Sequence, residues 1–179
     1  MIRIAAGLYR SRIIETPASL TVPTKSMVRE AMENALYQDL QGATVLDLFA
    51  GSGALALEAL SRGAKEAYFV DSSMEACAVI NRNISTLKAK GKVFCEDFDK
   101  AISDFQAARI RFDVVFLDPP YAMKDVYSSV PKDLLERGLL SDKAVVALEF
   151  EGEVNAPLSL FASSKRYHYG RTDVLILRR

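Results

Sequence analysis

The sequence predicts an α/β fold with a mostly parallel sheet that ends in an antiparallel hairpin. Five almost continuously apolar runs predict strands, at 43–48, 67–70, 92–95, 113–117 and 144–148. Four helical segments alternate with them, at about 54–62, 73–88, 99–108 and 131–138. Apolar strands of this kind are typical of a parallel sheet that helices cover on both faces. Two last strands, 163–169 and 172–178, flank Gly170 and predict the hairpin, so the sheet is mixed.

The N-terminal part precedes this alternation and predicts a small β-hairpin followed by a helix. Short strands at 2–6 and 12–15 flank a basic, aromatic turn at 7–10. Thr24 is of a residue type favoured at helix N-caps. Apolar side chains at helical spacing then predict a helix that runs to about Leu40.

The length of 179 residues is typical of one domain. We expect residues 1–40 to form an extension of a core at 43–179. The stretch 122–131 gives no clear prediction. Pro131 would remove a helical hydrogen bond, so we expect the following helix to begin there.

Composition favours a cytoplasmic globular protein. Half of the residues are hydrophobic, and no apolar run approaches the length of a membrane span. The first residues are too short in their apolar part for a signal peptide, and Arg10 and Arg12 follow quickly. Cys77 and Cys95 lack the spacing of metal ligands, which predicts buried, reduced thiols and no metal site.

The charges are balanced overall but unevenly distributed. Residues 1–29 carry five basic side chains against one acidic, and residues 165–179 carry five against one. Two basic ends that meet in the fold would form a phosphate-binding face. Ordinary solvated charge is the alternative for any single residue.

A glycine turn at 47–53 connects the first predicted core strand to the helix that follows it. Glycine adopts positive φ and lets a ligand approach the backbone closely. Gly51, Gly53 and Ala56 also fit the G-x-G-x-x-G/A pattern of dinucleotide-binding folds. This pattern alone is weak, and it leaves open what is bound.

Four predicted strands end in a carboxylate: Asp47, Asp71, Asp97 and Asp118. Ligands of open α/β sheets bind beyond the carboxyl ends of the strands. Asp71 follows Gly53 by 18 residues, close to the spacing of an acidic residue that binds a ribose. Asp71 and Asp97 could each instead begin a helix. Together the four strand ends favour a nucleoside site.

The segment Asp118-Pro119-Pro120-Tyr121 predicts a second chemical function. Prolines lack a backbone donor, so this loop offers carbonyl oxygens to a ligand. A carboxylate beside such a carbonyl forms an acceptor pair suited to an exocyclic amino group, and Tyr121 offers a face for base stacking. The alternative is a Pro-Pro loop with a tyrosine in the core.

These motifs carry a family resemblance. The segment 47–53 resembles the cofactor motif of class I S-adenosylmethionine-dependent methyltransferases. The segment 118–121 resembles the Asp/Asn-Pro-Pro-Tyr/Phe motif of those that methylate amino nitrogens. That resemblance implies a Rossmann-like, seven-stranded sheet whose last strand is antiparallel.

The sequence most resembles the RsmD family, bacterial methyltransferases of a guanine N2 in small-subunit ribosomal RNA. The likeness covers nearly the whole chain, in segments at 4–12, 23–24, 28–31, 46–54, 57–64, 112–121 and 169–172. Val22, Ser26 and Met27 depart from the family pattern.

The resemblance implies S-adenosylmethionine as cofactor and assigns roles by position. The expected cofactor-binding residues are Asp47, Phe49, Gly51, Ser52, Gly53, Asp71, Ser72, Asp97 and Phe98. Asp71 would accept from the ribose hydroxyls and Asp97 from the adenine amino group, with Glu96 as the competing carboxylate. The expected catalytic residues are Asp118, Pro119, Pro120 and Tyr121.

The expected partner is ribosomal RNA, as free RNA, in the small subunit or in an assembly intermediate, and the protein is expected to be a monomer. The candidate phosphate contacts are Arg10, Arg12, Lys25, Arg29 and Arg171. Arg29 could instead line the active site. The alternatives are an adenine-N6 or cytosine-N4 methyltransferase on DNA or another RNA, a nicotinamide-dependent oxidoreductase, and a non-catalytic RNA-binding module.

Overall fold

The computed structural model describes residues 1–19, 26–120 and 122–179. The strands are β1 Ile2–Arg3, β2 Ile13–Ile14, β3 Thr44–Asp47, β4 Glu66–Asp71, β5 Gly91–Cys95, β6 Phe112–Leu117, β7 Leu140–Glu151, β8 Ser163–Tyr169 and β9 Thr172–Arg178. The α-helices are α1 Ser26–Ala35, α2 Tyr37–Leu40, α3 Ala54–Ser61, α4 Met74–Leu87, α5 Phe98–Ala107 and α6 Val126–Glu136. A 3₁₀ turn at Leu158–Leu160 precedes β8.

The main sheet has seven strands in the order β5-β4-β3-β6-β7-β9-β8. Strands β3 to β7 pair in parallel, whereas β9 runs antiparallel to both of its neighbours. Tyr169 pairs with Thr172, so Gly170 and Arg171 form a two-residue hairpin turn, with Gly170 at φ 67°. The expected seven-stranded mixed sheet with an antiparallel last strand is confirmed.

Helices cover both faces of this sheet. Helices α1, α3 and α4 pack on one face, and α5 and α6 pack on the other. Successive strand residues point to opposite faces. Val45 accordingly belongs to the first layer and Leu46 to the second. The continuous apolar runs of the sequence arise because both faces of these strands are buried.

The N-terminal extension is docked onto α3 by a buried carboxylate. Glu58 is fully buried and accepts hydrogen bonds from the amides of Ala5 (2.9 Å) and Ala6 (3.0 Å) and from Nε of Arg62 (3.1 Å). Gly7 has φ +80°, and a Cβ there would lie 1.8 Å from the carbonyl oxygen of Ser61. Only glycine permits this approach, so the extension is held close along the helix.

Several predicted boundaries differ from those observed. The N-terminal strands are shorter than 2–6 and 12–15, and the helix predicted to reach Leu40 is divided after Ala35. Its predicted start at Thr24 lies outside the described residues. In each case the order of elements is as predicted, and the ends differ by a few residues.

Two predictions were wrong. Helix α6 begins at Val126 and includes Pro131, because its buried residues, Val130 and Leu134 among them, pack onto the sheet and outweigh one missing hydrogen bond. Cys95 is exposed, whereas Cys77 is buried as expected. The exposure follows from the position of Cys95 at the end of β5, which is an edge strand.

Among the helices that the structure describes, none has the length and apolar character needed to cross a membrane.

Candidate active site

A cavity of about 470 Å³ opens at the carboxyl ends of the parallel strands. Its volume lies within the range of small-molecule sites. The predicted residues that line it are Phe49, Gly51, Ser52, Asp71, Ser72, Asp97, Phe98, Asp118, Pro119 and Pro120. Lys25 and Tyr121 lie outside the described residues.

The glycine turn is tied to the next strand by Asp71. The amide of Gly51 donates to Oδ2 of Asp71 and the amide of Ser73 donates to Oδ1, both at 2.8 Å. A carboxylate has about four acceptor positions, so each oxygen retains the capacity to accept from a ligand hydroxyl. Helix α4 is capped instead by Ser73, whose Oγ accepts from the amide of Ala76 at 3.3 Å. Asp71 therefore shapes the turn and faces the cavity.

Gly53 does not line the cavity; it packs against the core behind the turn. It precedes α3 in the left-handed conformation, with φ 77°. A Cβ there would lie 3.1 Å from the Phe69 ring. The requirement for glycine at this position therefore comes from the backbone and the core.

The far end of the cavity combines an acceptor with aromatic rings. Asp97 occupies the N-cap position of α5 but its side chain makes no capping hydrogen bond. This favours the ligand role of Asp97 over the helix-start alternative. Glu96 also lines the cavity, but its Oε2 accepts from Nζ of Lys100 at 2.6 Å. The rings of Phe49 and Phe98 lie 5.3 Å apart, which gives an apolar wall beside Asp97.

Asp47 lies beneath the cavity rather than on its wall. It is only 1% exposed, and the backbone N–H groups of Ala56 and Phe49 are directed at its carboxylate. Burial, followed by the negative charge of Asp118, raises its pKa to about 8. Asp47 was expected to help bind the amino group of the cofactor, directly or through water; because it does not line the cavity, only the water-mediated form of that prediction fits its position.

Asp118 and Pro119 form the opposite part of the wall, directly after β6. Asp118 is half-buried and Pro119 is buried. The carbonyl of Pro120 accepts from the amide of Met123 at 2.8 Å, so it closes the turn. The Pro119 carbonyl, rather than that of Pro120, therefore stays the predicted partner of Asp118 for an amino group.

The family model "Conserved hypothetical protein 95" matches residues 2–178. The chain is 35% identical to ribosomal RNA small subunit methyltransferase D of Escherichia coli K12, over 87% of this chain and 78% of that protein. The chain belongs to the RsmD methyltransferase family. This confirms the family resemblance, the methyltransferase class and S-adenosylmethionine as methyl donor.

Two solved structures are similar across the RsmD fold. A hypothetical protein of Thermus thermophilus superposes with a TM-score of 0.87 and 28% identity, covering 100% of both chains. The T. thermophilus 16S rRNA N2 methyltransferase RsmC, in complex with AdoMet and guanosine, gives a TM-score of 0.69 at 21% identity, over 92% of this chain and 45% of that one. The second likeness shows the fold alone.

Sequence reasoning missed the residues that β7 and its neighbours add to this RsmD site. Glu149, Phe150 and Glu151 of β7 line the cavity, as do Tyr127 of α6 and Thr172 of β9. A signal for Glu149 was present, because a carboxylate follows the apolar run 144–148 as at the other strand ends.

The basic side chains of the two ends of the chain lie at different places relative to the cavity. Arg12 donates to the carbonyl of Thr86 at the end of α4, whereas the N-terminus of α4 lies at the cavity edge. Fourteen helical residues span about 21 Å. Arg10 and Arg12 are exposed near the edge of the sheet away from the cavity, and Arg171 is exposed beside Thr172 on the cavity side.

Arg29 lines the cavity and is only 2% exposed. Its Nη2 donates to the carbonyl of Arg3 at 3.2 Å, and its Nε has no hydrogen-bond partner among the described residues. This burial favours the active-site alternative over a contact with RNA phosphates at the surface. Arg29 thus brings a buried positive charge to a cavity that is otherwise rich in carboxylates.

Proposed function

We propose that this protein methylates the exocyclic N2 amino group of a guanine in small-subunit ribosomal RNA. Membership of the RsmD family supports rRNA methylation with S-adenosylmethionine. The single observation that carries the proposal is that two sets of residues line the same cavity. The residues after β3, β4 and β5 suit a nucleoside, and those after β6 and β7 suit an amino group.

The first set fits the cofactor. Asp71 and Asp97 offer acceptors for ribose hydroxyls and an adenine amino group, and Phe49 and Phe98 offer an apolar wall. The turn at Gly51 and Ser52 lets a ligand approach the backbone. S-adenosylmethionine supplies, when bound, a methyl group on a positively charged sulfur.

The second set would orient the acceptor. A target base must leave its stack before an enzyme can act on it. Asp118 and the Pro119 carbonyl would accept hydrogen bonds from its amino group and direct the nitrogen lone pair towards the methyl group. The nitrogen becomes acidic only as it is methylated, so Asp118 need not be a strong base beforehand. Orientation and electrostatics therefore supply most of the catalysis. Stacking on Tyr121 remains a prediction.

RNA would approach from the cavity side of the sheet. Arg171 is the described candidate best placed for a phosphate contact, since it is exposed and its neighbour Thr172 lines the cavity. Arg10 and Arg12 would contact only RNA that extends to the opposite edge. Lys25 keeps its predicted role. We also propose that the protein acts in the cytoplasm as a monomer, on free RNA, the small subunit or an assembly intermediate.

Methyl transfer with labelled cofactor tests the substrate. Unmodified small-subunit rRNA, small subunits from cells that lack the protein, and DNA would be compared, with digestion to nucleosides. We expect label in N2-methylguanosine from the RNA substrates and none in DNA. Label on adenine N6 or cytosine N4 would contradict the proposal and support the rival amino-methyltransferase.

A further inference from the structure

Glu149 lies beside Asp118 at the carboxyl edge of the sheet. Strands β6 and β7 are parallel neighbours, and Leu117 pairs with Leu148. The next residue of each strand is the carboxylate that lines the cavity. Adjacent strands lie about 4.8 Å apart, so two acceptors are available at the spacing of neighbouring groups on one ligand.

The position of Glu149 is fixed by its surroundings. It is 8% exposed, and its backbone pairs with Val174 of β9. The buried hydroxyl of Tyr127 donates to the backbone carbonyl of Glu149 at 2.8 Å. Ala147, two residues earlier, belongs to the core layer under α1 and α3, so Glu149 is on the face from which Arg29 reaches the cavity.

We propose that Glu149 accepts a hydrogen bond from N1–H of the target guanine and thereby selects guanine over adenine and cytosine. This rests on the proposed function, in which Asp118 and Pro119 hold the amino group. In guanine one of the two ring nitrogens beside the amino-bearing carbon, N1, carries hydrogen. In adenine and cytosine the equivalent nitrogen is an acceptor.

An ionised carboxylate can only accept hydrogen bonds. It therefore attracts N1–H of guanine and repels the lone pair of the other two bases. Sites that are built to accept a hydrogen bond from one polar group discriminate against an analogue that presents a lone pair in its place. Asp118 alone cannot make this distinction, since all three bases carry an amino group.

The test uses the intact protein and a synthetic acceptor. The nucleotide methylated by the wild type is first mapped on an unmodified small-subunit rRNA transcript by mass spectrometry. Short RNAs that cover it then carry guanine or 2-aminopurine, which keeps the amino group but has an acceptor at N1. The ratio of kcat/KM for the two RNAs is compared between wild type and Glu149→Gln.

We expect the ratio of kcat/KM for the guanine RNA to that for the 2-aminopurine RNA to be at least about tenfold lower in Glu149→Gln than in the wild type. The reason is that the glutamine amide can donate to the unprotonated N1 of 2-aminopurine. Glu153→Gln makes the same charge change in the loop after β7, at an exposed side chain, and should keep the wild-type ratio. An unchanged ratio in Glu149→Gln would overturn the assignment.

A binding measurement covers the case in which Glu149→Gln does not fold. With S-adenosylhomocysteine present, the wild type should bind the guanine RNA at least about tenfold more tightly than the 2-aminopurine RNA. Equal affinities would overturn the role of Glu149. If the mapping step places the methyl group on another base, the proposed function itself fails. If the methyl group maps to guanine N2 but the ratio of kcat/KM for the two RNAs is the same in wild type and Glu149→Gln, only the role of Glu149 fails.

Discussion

The amide of Gly51 donates a 2.8 Å hydrogen bond to Oδ2 of Asp71, which joins the glycine turn to the end of the neighbouring strand. The other oxygen of Asp71 holds the amide of Ser73 at the start of α4. One carboxylate therefore fixes two backbone segments and also faces the cavity. The shape of this part of the cavity depends on it.

Asp71→Asn should weaken cofactor binding. An amide cannot accept from both the Gly51 and the Ser73 N–H groups, and it would place its own donor against one of them. We expect the Kd for S-adenosylmethionine to rise by at least about tenfold, measured by calorimetry. Asp99→Asn, on the exposed first turn of α5, is the matched control. Equal affinities for the two variants would contradict the role of Asp71.

Asp118→Ala should slow methyl transfer without weakening the binding of S-adenosylmethionine. Removing an acceptor that acts on the reacting amino group should lower kcat by about 10²–10³-fold. Asp118 lies after β6, on the acceptor side of the cavity, so the Kd for S-adenosylmethionine should stay within about threefold of the wild type. Single-turnover methylation and calorimetry would be measured on the same preparation. Methylation at the wild-type rate would refute the catalytic assignment.

Asp47 should make stability depend on pH. Its pKa is raised to about 8 in the folded protein, from an ordinary value of 3.8, because burial and Asp118 disfavour the charged form. An acid whose pKa is raised by folding contributes stability at low pH that is lost as pH rises through the folded pKa. The window is therefore about pH 4 to 8.

Asp47→Asn removes this titration. Between about pH 5 and pH 8, the free energy of unfolding of the variant should rise relative to that of the wild type by up to about 3–4 kcal/mol, since one pKa unit corresponds to about 1.36 kcal/mol. Urea unfolding at several pH values checks this. Glu33 is also buried with a raised pKa, to which the charge of Asp47 contributes, so the comparison reports the titration of both carboxyl groups. If the free energy of unfolding depended on pH in the same way in the wild type and in Asp47→Asn, the buried, largely protonated state of Asp47 would be contradicted.

Glu58→Ala should destabilise the whole domain. It leaves Arg62, whose side chain is only 7% exposed, without its ion pair and removes the acceptor of the Ala5 and Ala6 amides. Loss of one partner from a buried pair costs about 3–5 kcal/mol. Urea unfolding would measure the loss.

The control for Glu58→Ala has the same i,i+4 spacing at an exposed site. Glu136 lies 3.8 Å from Lys132, and both side chains are more than half exposed. Glu136→Ala should change the free energy of unfolding by less than about 1 kcal/mol. Similar losses of free energy of unfolding in Glu58→Ala and Glu136→Ala would show that the contribution of Glu58 to stability does not depend on its burial.

The features that depend on local sequence pattern, namely the buried strands and the carboxylates at the strand ends, were predicted from the sequence. Continuous apolar runs such as 113–117 identified the buried strands, and the carboxylates at 71, 97 and 118 identified the cavity edge. Helix α6 was misplaced because tertiary packing overrode the effect of Pro131.

The N-terminal extension could not be placed from pattern alone. Its docking depends on contacts between residues more than fifty positions apart, such as Ala5 with Glu58. Without that docking, the position of Arg12 far from the cavity was not predictable, and the two alternatives for Arg29 could not be decided. Glu149 had the same signal as the other strand ends but no glycine or proline motif to draw attention to it.

The most direct test of the central claim is nucleoside mass spectrometry of small-subunit rRNA from cells that lack this protein. The rRNA should lose one N2-methylguanosine, and the wild-type protein should restore it whereas Asp118→Ala should not. An unchanged N2-methylguanosine content in the deletion strain, or full restoration by Asp118→Ala, would contradict the account.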